Sequence, residues 1–255
     1  MNRFVKRLLL ALVLIFLYAP ILVLIVYSFN ASRLRGSWDG FTLDWYVALF
    51  RDREVLRALY HTILVAVLST VISTVIGTLA AIGIYSLGRK TKSAILNLNY
   101  LPVLNPDIVT AVSLMLLFGL VGMRFGLATL LMGHISFTVP YVVLSVLPKL
   151  GQMNPNIYEA ALDLGARPGY ALRRIVLPQI QPGIVTGALL AFTLSIDDFV
   201  ISFFTTGHGV ANLSTTIFSM ARRGINPVIN ALSTLMFAVM IVLLLIINRK
   251  SKEDA

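Results

Sequence analysis

Residues 155–178 read Pro155-Asn156-Ile157-Tyr158-Glu159-Ala160-Ala161-Leu162-Asp163-Leu164-Gly165-Ala166-Arg167-Pro168-Gly169-Tyr170-Ala171-Leu172-Arg173-Arg174-Ile175-Val176-Leu177-Pro178. Two short helices are predicted here. Pro155 suits a first helical position, where a missing N–H costs nothing, and Glu159 lies in early turns where the helix dipole favours an acid. Ala160, Ala161 and Leu164 give a small apolar surface, and Gly165 turns the chain. Pro168 opens the second helix. Its Leu172, Ile175 and Val176 form an apolar face, Arg173 and Arg174 point elsewhere, and Pro178 is expected to stop it. Such an element has two physical readings: a knob whose small side chains let a partner's groove approach, or an amphipathic hairpin lying on lipid headgroups.

The flanks are apolar runs of membrane-spanning length. Six spans are predicted, at about 8–29, 60–86, 95–120, 127–147, 183–203 and 230–247, with a long connection over 148–182. The first run exceeds the roughly 7–15-residue core of a cleaved signal, so it reads as a retained helix bent at Pro20. Span three is interrupted by Pro102, Asn105, Pro106 and Asp107. Gly183 and Gly187, four apart, suit close helix packing in span five. Six spans put both ends on one side. Thirteen of the 21 Lys and Arg residues fall on that side and eight on the other, Arg35 among the eight. Both termini and the 148–182 loop are therefore expected in the cytoplasm. One transmembrane domain over 1–255 is expected, because no segment between spans is long enough for a soluble domain.

Composition agrees. The chain of 255 residues is 58% hydrophobic and only 13% charged, against roughly a quarter charged in soluble domains. A water-soluble enzyme is excluded. The net charge of +10 follows from topology, so no nucleic acid is expected. No cysteine is present, and His61, His134 and His208 have no metal spacing, so neither thiol nor metal chemistry is expected. No catalytic set can be assembled. Gly83 to Thr91 imitates a phosphate loop, but Arg89 breaks the spacing and a membrane helix precedes it.

Glu159-Ala160-Ala161, then Gly165, then Ile175-Val176-Leu177-Pro178 also resembles the EAA loop of the permease subunits of bacterial ABC importers. The pattern of Glu-Ala-Ala, three residues, Gly, nine residues, Ile-x-Leu-Pro is matched without a departure. The resemblance implies an all-α, six-helix ABC importer permease fold. It also implies that Glu159 to Gly165 is a cytoplasmic coupling helix seated in a cleft of an ATPase subunit, with Ile175, Leu177 and Pro178 completing the motif. The Asn30–Trp45 outer loop, the Pro106-Asp107-Ile108-Val109 segment and the Leu194-Ser195-Ile196-Asp197-Asp198-Phe199 segment extend it to the polyamine branch, the permeases of spermidine/putrescine importers. The expected partners are a second homologous permease, an ATPase dimer, a periplasmic polyamine-binding protein and the lipid of a bacterial inner membrane. The chain would bind no cofactor; ATP and Mg²⁺ would belong to the ATPase subunits. By the same resemblance Trp45 gates or stacks at the outer mouth; as a residue it reads equally as an interface anchor.

Substrate rests on three acids inside predicted spans: Asp107, Asp197 and Asp198. Each costs about 2.5–3.5 kcal/mol at a span centre, on the order of 7–10 kcal/mol together. No Lys or Arg lies inside a span, so facing lipid unpaired is excluded. Asp107 falls roughly 18 Å into span three at 1.5 Å per residue. Asp197 and Asp198 lie nearer the outer half and diverge by about 100°. Ser195 and Asp198, three apart, are expected on one helical face beside Phe199, which favours Asp198 as the acid on the path. Carboxylates at two depths suit a chain of ammonium groups and repel sulfate or phosphate. For Asp107 a structural role is the alternative, as a cap on a helix broken by Pro102 and Pro106. The alternatives are a permease for another organic cation or a metal, an ion-coupled carrier using the same acids, and a membrane scaffold using the helix–glycine–helix knob.

Overall fold

The computed structural model describes residues 3–33, 36–207, 209–223 and 227–253. His208 and Arg35 lie outside them. The chain is helical almost throughout, and among the described residues the only β-type pairing is an isolated bridge between Asn30 and Phe41.

The helices are α1 (Arg3–Ser28), α2 (Asp44–Arg51), α3 (Arg53–Tyr85), α4 (Arg89–Leu104), α5 (Asp107–Leu120), α6 (Leu127–Gln152), α7 (Pro155–Asp163), α8 (Pro168–Ala171), α9 (Leu177–Asp197), α10 (Val200–Thr205), α11 (Leu213–Arg223) and α12 (Pro227–Glu253). A single π-helical turn, Leu172–Val176, joins α8 to α9. Four stretches are long and apolar enough to cross a membrane: 5–28, 53–85, 127–152 and 168–197. The α4–α5 pair counts as a fifth if it is one broken span, bent by 104°. The expected sixth span, 230–247, falls within α12, whose apolar described part is Pro227–Val239.

Several span boundaries differ from the sequence reading. Helix α3 starts at Arg53, seven residues early, because Asp52 Oδ1 accepts from the backbone N–H groups of Glu54 and Val55 at 2.9 and 3.3 Å and so caps it. Helix α6 runs through Pro148 to Gln152. Pro178 does not stop a helix. It sits in the first turn of α9, and residues 168–197 are one continuous 30-residue stretch. The π turn is the physical reason: Leu177 N–H bonds Leu172 C=O, five residues back, and the wider turn accommodates a proline that has no N–H to donate. The 148–182 connection therefore shrinks to the chain between Gln152 and the α8–α9 helix. Span five is in turn broken at Asp198 and Phe199.

Where one domain is expected from the sequence, contacts divide the chain into two compact units. Residues 1–57 and 216–255 form one, and residues 58–215 the other. In the first, α12 packs on α1 and α2. Asn30 knots the segment after α1: its side chain donates to Ser37 C=O at 2.6 Å and accepts from Ser32 and Asp39 N–H. Phe29 stacks on Phe41, their centroids 5.5 Å apart.

The second unit is built on α6 and α9, whose backbones approach closely at two glycines of α9. A Cβ on Gly183 would meet Ser145 C=O at 2.9 Å, and one on Gly187 would meet Val142 Cα at 3.1 Å. Helix α3 also comes close to α6 at the same residue: a Cβ on Gly77 would stand 2.7 Å from Val142 Cβ. Lipid gives helices little hydrophobic reason to associate, so close backbone approach and dispersion hold them together. Val142, Val143, Val146, Leu150, Val176 and Ile180 form the buried core beside these glycines.

Candidate functional site

The Glu159 segment is shaped by its own backbone. Asn154 is the N-cap of α7, accepting from Asn156 N–H at 3.0 Å, and Pro155 takes the first helical position. Gly165, at φ +86°, closes the helix: its N–H bonds Leu162 C=O at 2.9 Å, and Ala166 N–H bonds Ala161 C=O at 3.0 Å. Pro168 opens α8. Tyr158 packs on the α6–α9 core. The small apolar face is divided: Ala161 is buried, while Ala160, Gly165 and Leu164, the last 89% exposed, face outward with Glu159. Among the described residues Glu159 has no hydrogen bond or ion pair within the chain. Tyr170, Arg173 and Arg174 line an open depression of about 510 Å³. Ile175 and Leu177 are half-buried, and Pro178 is exposed.

All three intramembrane acids stand at helix breaks. Asp107 is the first residue of α5, directly after the 104° bend, so the depth reckoned along a straight span three does not apply to it. Its side chain makes no cap hydrogen bond. It is exposed, and Tyr141 of α6 lies within reach of its charge. Asp197 ends α9 and is also exposed.

Asp198 is different. Its backbone is extended (φ −65°, ψ 128°), and its side chain is 5% exposed. The carboxylate accepts from Ile201 N–H at 3.1 Å and Ser202 N–H at 2.7 Å. Asp198 thus caps α10. The shared helical face of Ser195 and Asp198 is lost, because the helix ends between them.

They are brought together instead by His134 of α6, which is 1% exposed. Its Nδ1 lies 2.7 Å from Ser195 Oγ and its Nε2 2.9 Å from Ser202 Oγ, with Asp198 Oδ2 3.6 Å from Nε2. Asn212 Oδ1 accepts from Thr215 N–H, so its amide nitrogen is the end facing Ser202 Oγ, at 2.5 Å. Ser202 Oγ accepts there and also bonds His134 Nε2, while Nδ1 bonds Ser195, which meets Ser69 Oγ of α3 at 3.0 Å. One chain of hydrogen bonds joins α3, α6, α9, α10 and the start of α11.

Trp45 lies in the first unit. Its Nε1–H donates to Asn30 C=O at 2.8 Å, and Arg33 stands over the ring with Cζ 5.8 Å from the centroid. Phe199 and Phe203 are ring neighbours at 5.5 Å.

Sequence reasoning missed His134, Ser202 and Asn212. The available signal was a histidine deep in an apolar run, which is costly unless bonded. Testing the histidines only for metal spacing overlooked it. Among the described residues no group of three metal-ligating side chains occurs.

The fold and site define a multi-helix membrane component with an exposed capped helix and acids at its helix breaks. Residues 73–249 match the family of binding-protein-dependent transport system inner membrane components, and the chain belongs to that family. It is 38% identical over 230 residues to the spermidine/putrescine transport system permease protein PotC of Escherichia coli K12, covering 90% of this chain and 87% of that one. To PotC of Haemophilus influenzae it is 37% identical over 241 residues, 93% and 94% of the two chains. To the putrescine transport system permease protein PotI of Escherichia coli K12 it is 38% identical over 227 residues, 86% and 81%. The fold matches a crystal structure of a bacterial ABC transporter that imports the acidic polysaccharide alginate, with a TM-score of 0.74 and 20% identity over 98% of this chain and 95% of that one. The chain is thus a multi-pass inner-membrane component of a transport system, with an ABC importer permease fold.

Proposed function

We propose that this chain is a permease subunit of an ATP-driven polyamine importer and does no covalent chemistry itself. One observation carries the substrate class. Asp107 and Asp197 are exposed at separate helix breaks, and among the described residues neither has a hydrogen bond or ion pair with a protein cation. Two such carboxylates attract a flexible chain of ammonium groups and repel sulfate or phosphate. The relatives' spermidine and putrescine substrates support the same reading.

The coupling residues are Glu159, Ala160, Ala161 and Gly165, supported by Ile175, Leu177 and Pro178. Glu159 and the exposed side of α7 seat in an ATPase subunit, and the Pro168–Asp197 helix carries that contact to Asp197. Both termini lie in the cytoplasm. A second homologous permease supplies the other half of the path, an ATPase dimer holds ATP and Mg²⁺, and a periplasmic binding protein delivers the polyamine. Six spans follow if α4–α5 is one broken span and α12 completes the set. Trp45 acts at the outer mouth. Asp198 and Ser195 act on the break, and Phe199 borders it.

The test is uptake of labelled spermidine and putrescine into proteoliposomes holding this chain, its neighbouring permease and its ATPase, with the binding protein outside. Saturable, ATP-dependent uptake that sulfate does not compete for is expected, and each omitted component should abolish it. ATPase stimulation without polyamine flux would overturn the substrate and keep the permease role.

A further inference from the structure

The break in span five separates Asp197, which ends α9, from α10, which begins at Val200. A helix interrupted by two residues has no backbone ladder to fix the angle between its parts. Here one imidazole does so. Ser195 lies on the α9 side of the break and Ser202 on the α10 side, and the two ring nitrogens of His134 hold one hydroxyl each, at 2.7 and 2.9 Å. Asp198, between them, caps α10 and sits 3.6 Å from the same ring. The ring stands on α6, whose close approach to α9 at Gly183 and Gly187 leaves it little room to shift. His134 is itself buried and reaches no solute.

We infer that His134 is a positioning residue for transport: it clamps both sides of the α9–α10 break and thereby fixes where Asp197 is presented. The inference rests on the reading of Asp197 as a polyamine-path acid.

Two experiments test it in the assembled transporter. The first needs no substrate. The chain has no cysteine, so Asp197→Cys gives it a single thiol. Its labelling rate by a cationic, membrane-impermeant thiol reagent should change at least about fivefold when His134→Ala is added. His134→Gln, whose amide reaches the Nε2 position and keeps the Ser202 bond, should lie nearer the parent. An unchanged rate with His134→Ala overturns the clamp. If His134→Ala does not assemble, Ser195→Ala and Ser202→Ala each remove one hydroxyl, and labelling unchanged in both overturns it equally.

The second is a double-mutant cycle on polyamine uptake. His134→Ala should raise the half-saturating concentration about tenfold in the parent and change it little in Asp197→Asn, because the clamp acts through that acid. Equal tenfold effects in both backgrounds would show that His134 acts elsewhere and overturn the proposal. Undiminished uptake by Asp197→Asn alone would instead sink the polyamine-path reading of Asp197, while the labelling result would still decide whether the clamp exists.

Discussion

The Glu159 segment and the span-five break are both short interruptions between helices, yet they are held by different forces. Around α7, groups adjacent in sequence do the work: the Asn154 side chain caps one end, a left-handed glycine closes the other, and prolines stand at both helix starts. Side chains there are left exposed for a neighbour. At the break, side chains do the work. A carboxylate replaces the missing backbone partners of Ile201 and Ser202, and a buried imidazole joins the two halves. The first region is fixed by neighbours in sequence, packs inward only through Tyr158 and Ala161, and offers a surface. The second depends on residues up to 126 positions apart, such as Ser69 and Ser195, and offers almost none.

This contrast is easiest to break with glycines. Past the far end of α10, a Cβ on Gly207 would collide with the carbonyl oxygen of Phe125, a backbone atom that cannot yield cheaply. Gly207→Ala should lose most of the assembled complex, read by co-purification yield. Normal yield would show that this region relaxes more freely than its packing implies. Glu159→Lys tests the opposite end. It should leave folding intact while abolishing ATPase co-purification and transport, and normal values of both would remove Glu159 from coupling.

Smaller effects sharpen the comparison. Asn212→Ala deprives Ser202 of a buried donor and should destabilise by about 1–3 kcal/mol, followed as a lower unfolding midpoint in detergent. An unchanged midpoint would mean the network re-pairs. Gly165→Ala forces a side chain into the left-handed region at φ +86°, with nothing crowding its Cβ, and should cost about 1–2 kcal/mol. Asn154→Ala should cost about 1 kcal/mol and loosen only α7, seen as faster amide exchange confined to residues 155–163. Exchange spreading into α9 would contradict the local character assigned to this segment.

The same distinction explains what was legible in the sequence. The two helices of the Glu159 segment, their starts and the turn at Gly165 were readable because each depends on one or two adjacent residues. Pro178 misled, since a proline stops a regular α-helix but not one that has just passed through a π turn. The break at Asp198 was invisible to breaker residues, for neither Asp198 nor Phe199 is one. It needs an acid that turns back onto the next helix and a histidine from another span. The acids were found by their cost in lipid, but cost does not distinguish neighbours. Asp197 and Asp198 differ only in where the helix ends. Early helix starts were missed where a cap lay among polar residues, as with Asp52 before α3.

The unbroken helix from Pro168 to Asp197 has a mechanical consequence. Thirty residues at 1.5 Å each make a lever about 45 Å long. One arm begins just after the Glu159 segment, and its far tip carries Asp197. The contacts of Gly183 and Gly187 with α6 lie near its middle and act as the fulcrum. A tilt of about 5° there swings the tip by roughly 2 Å, in the direction opposite to the push.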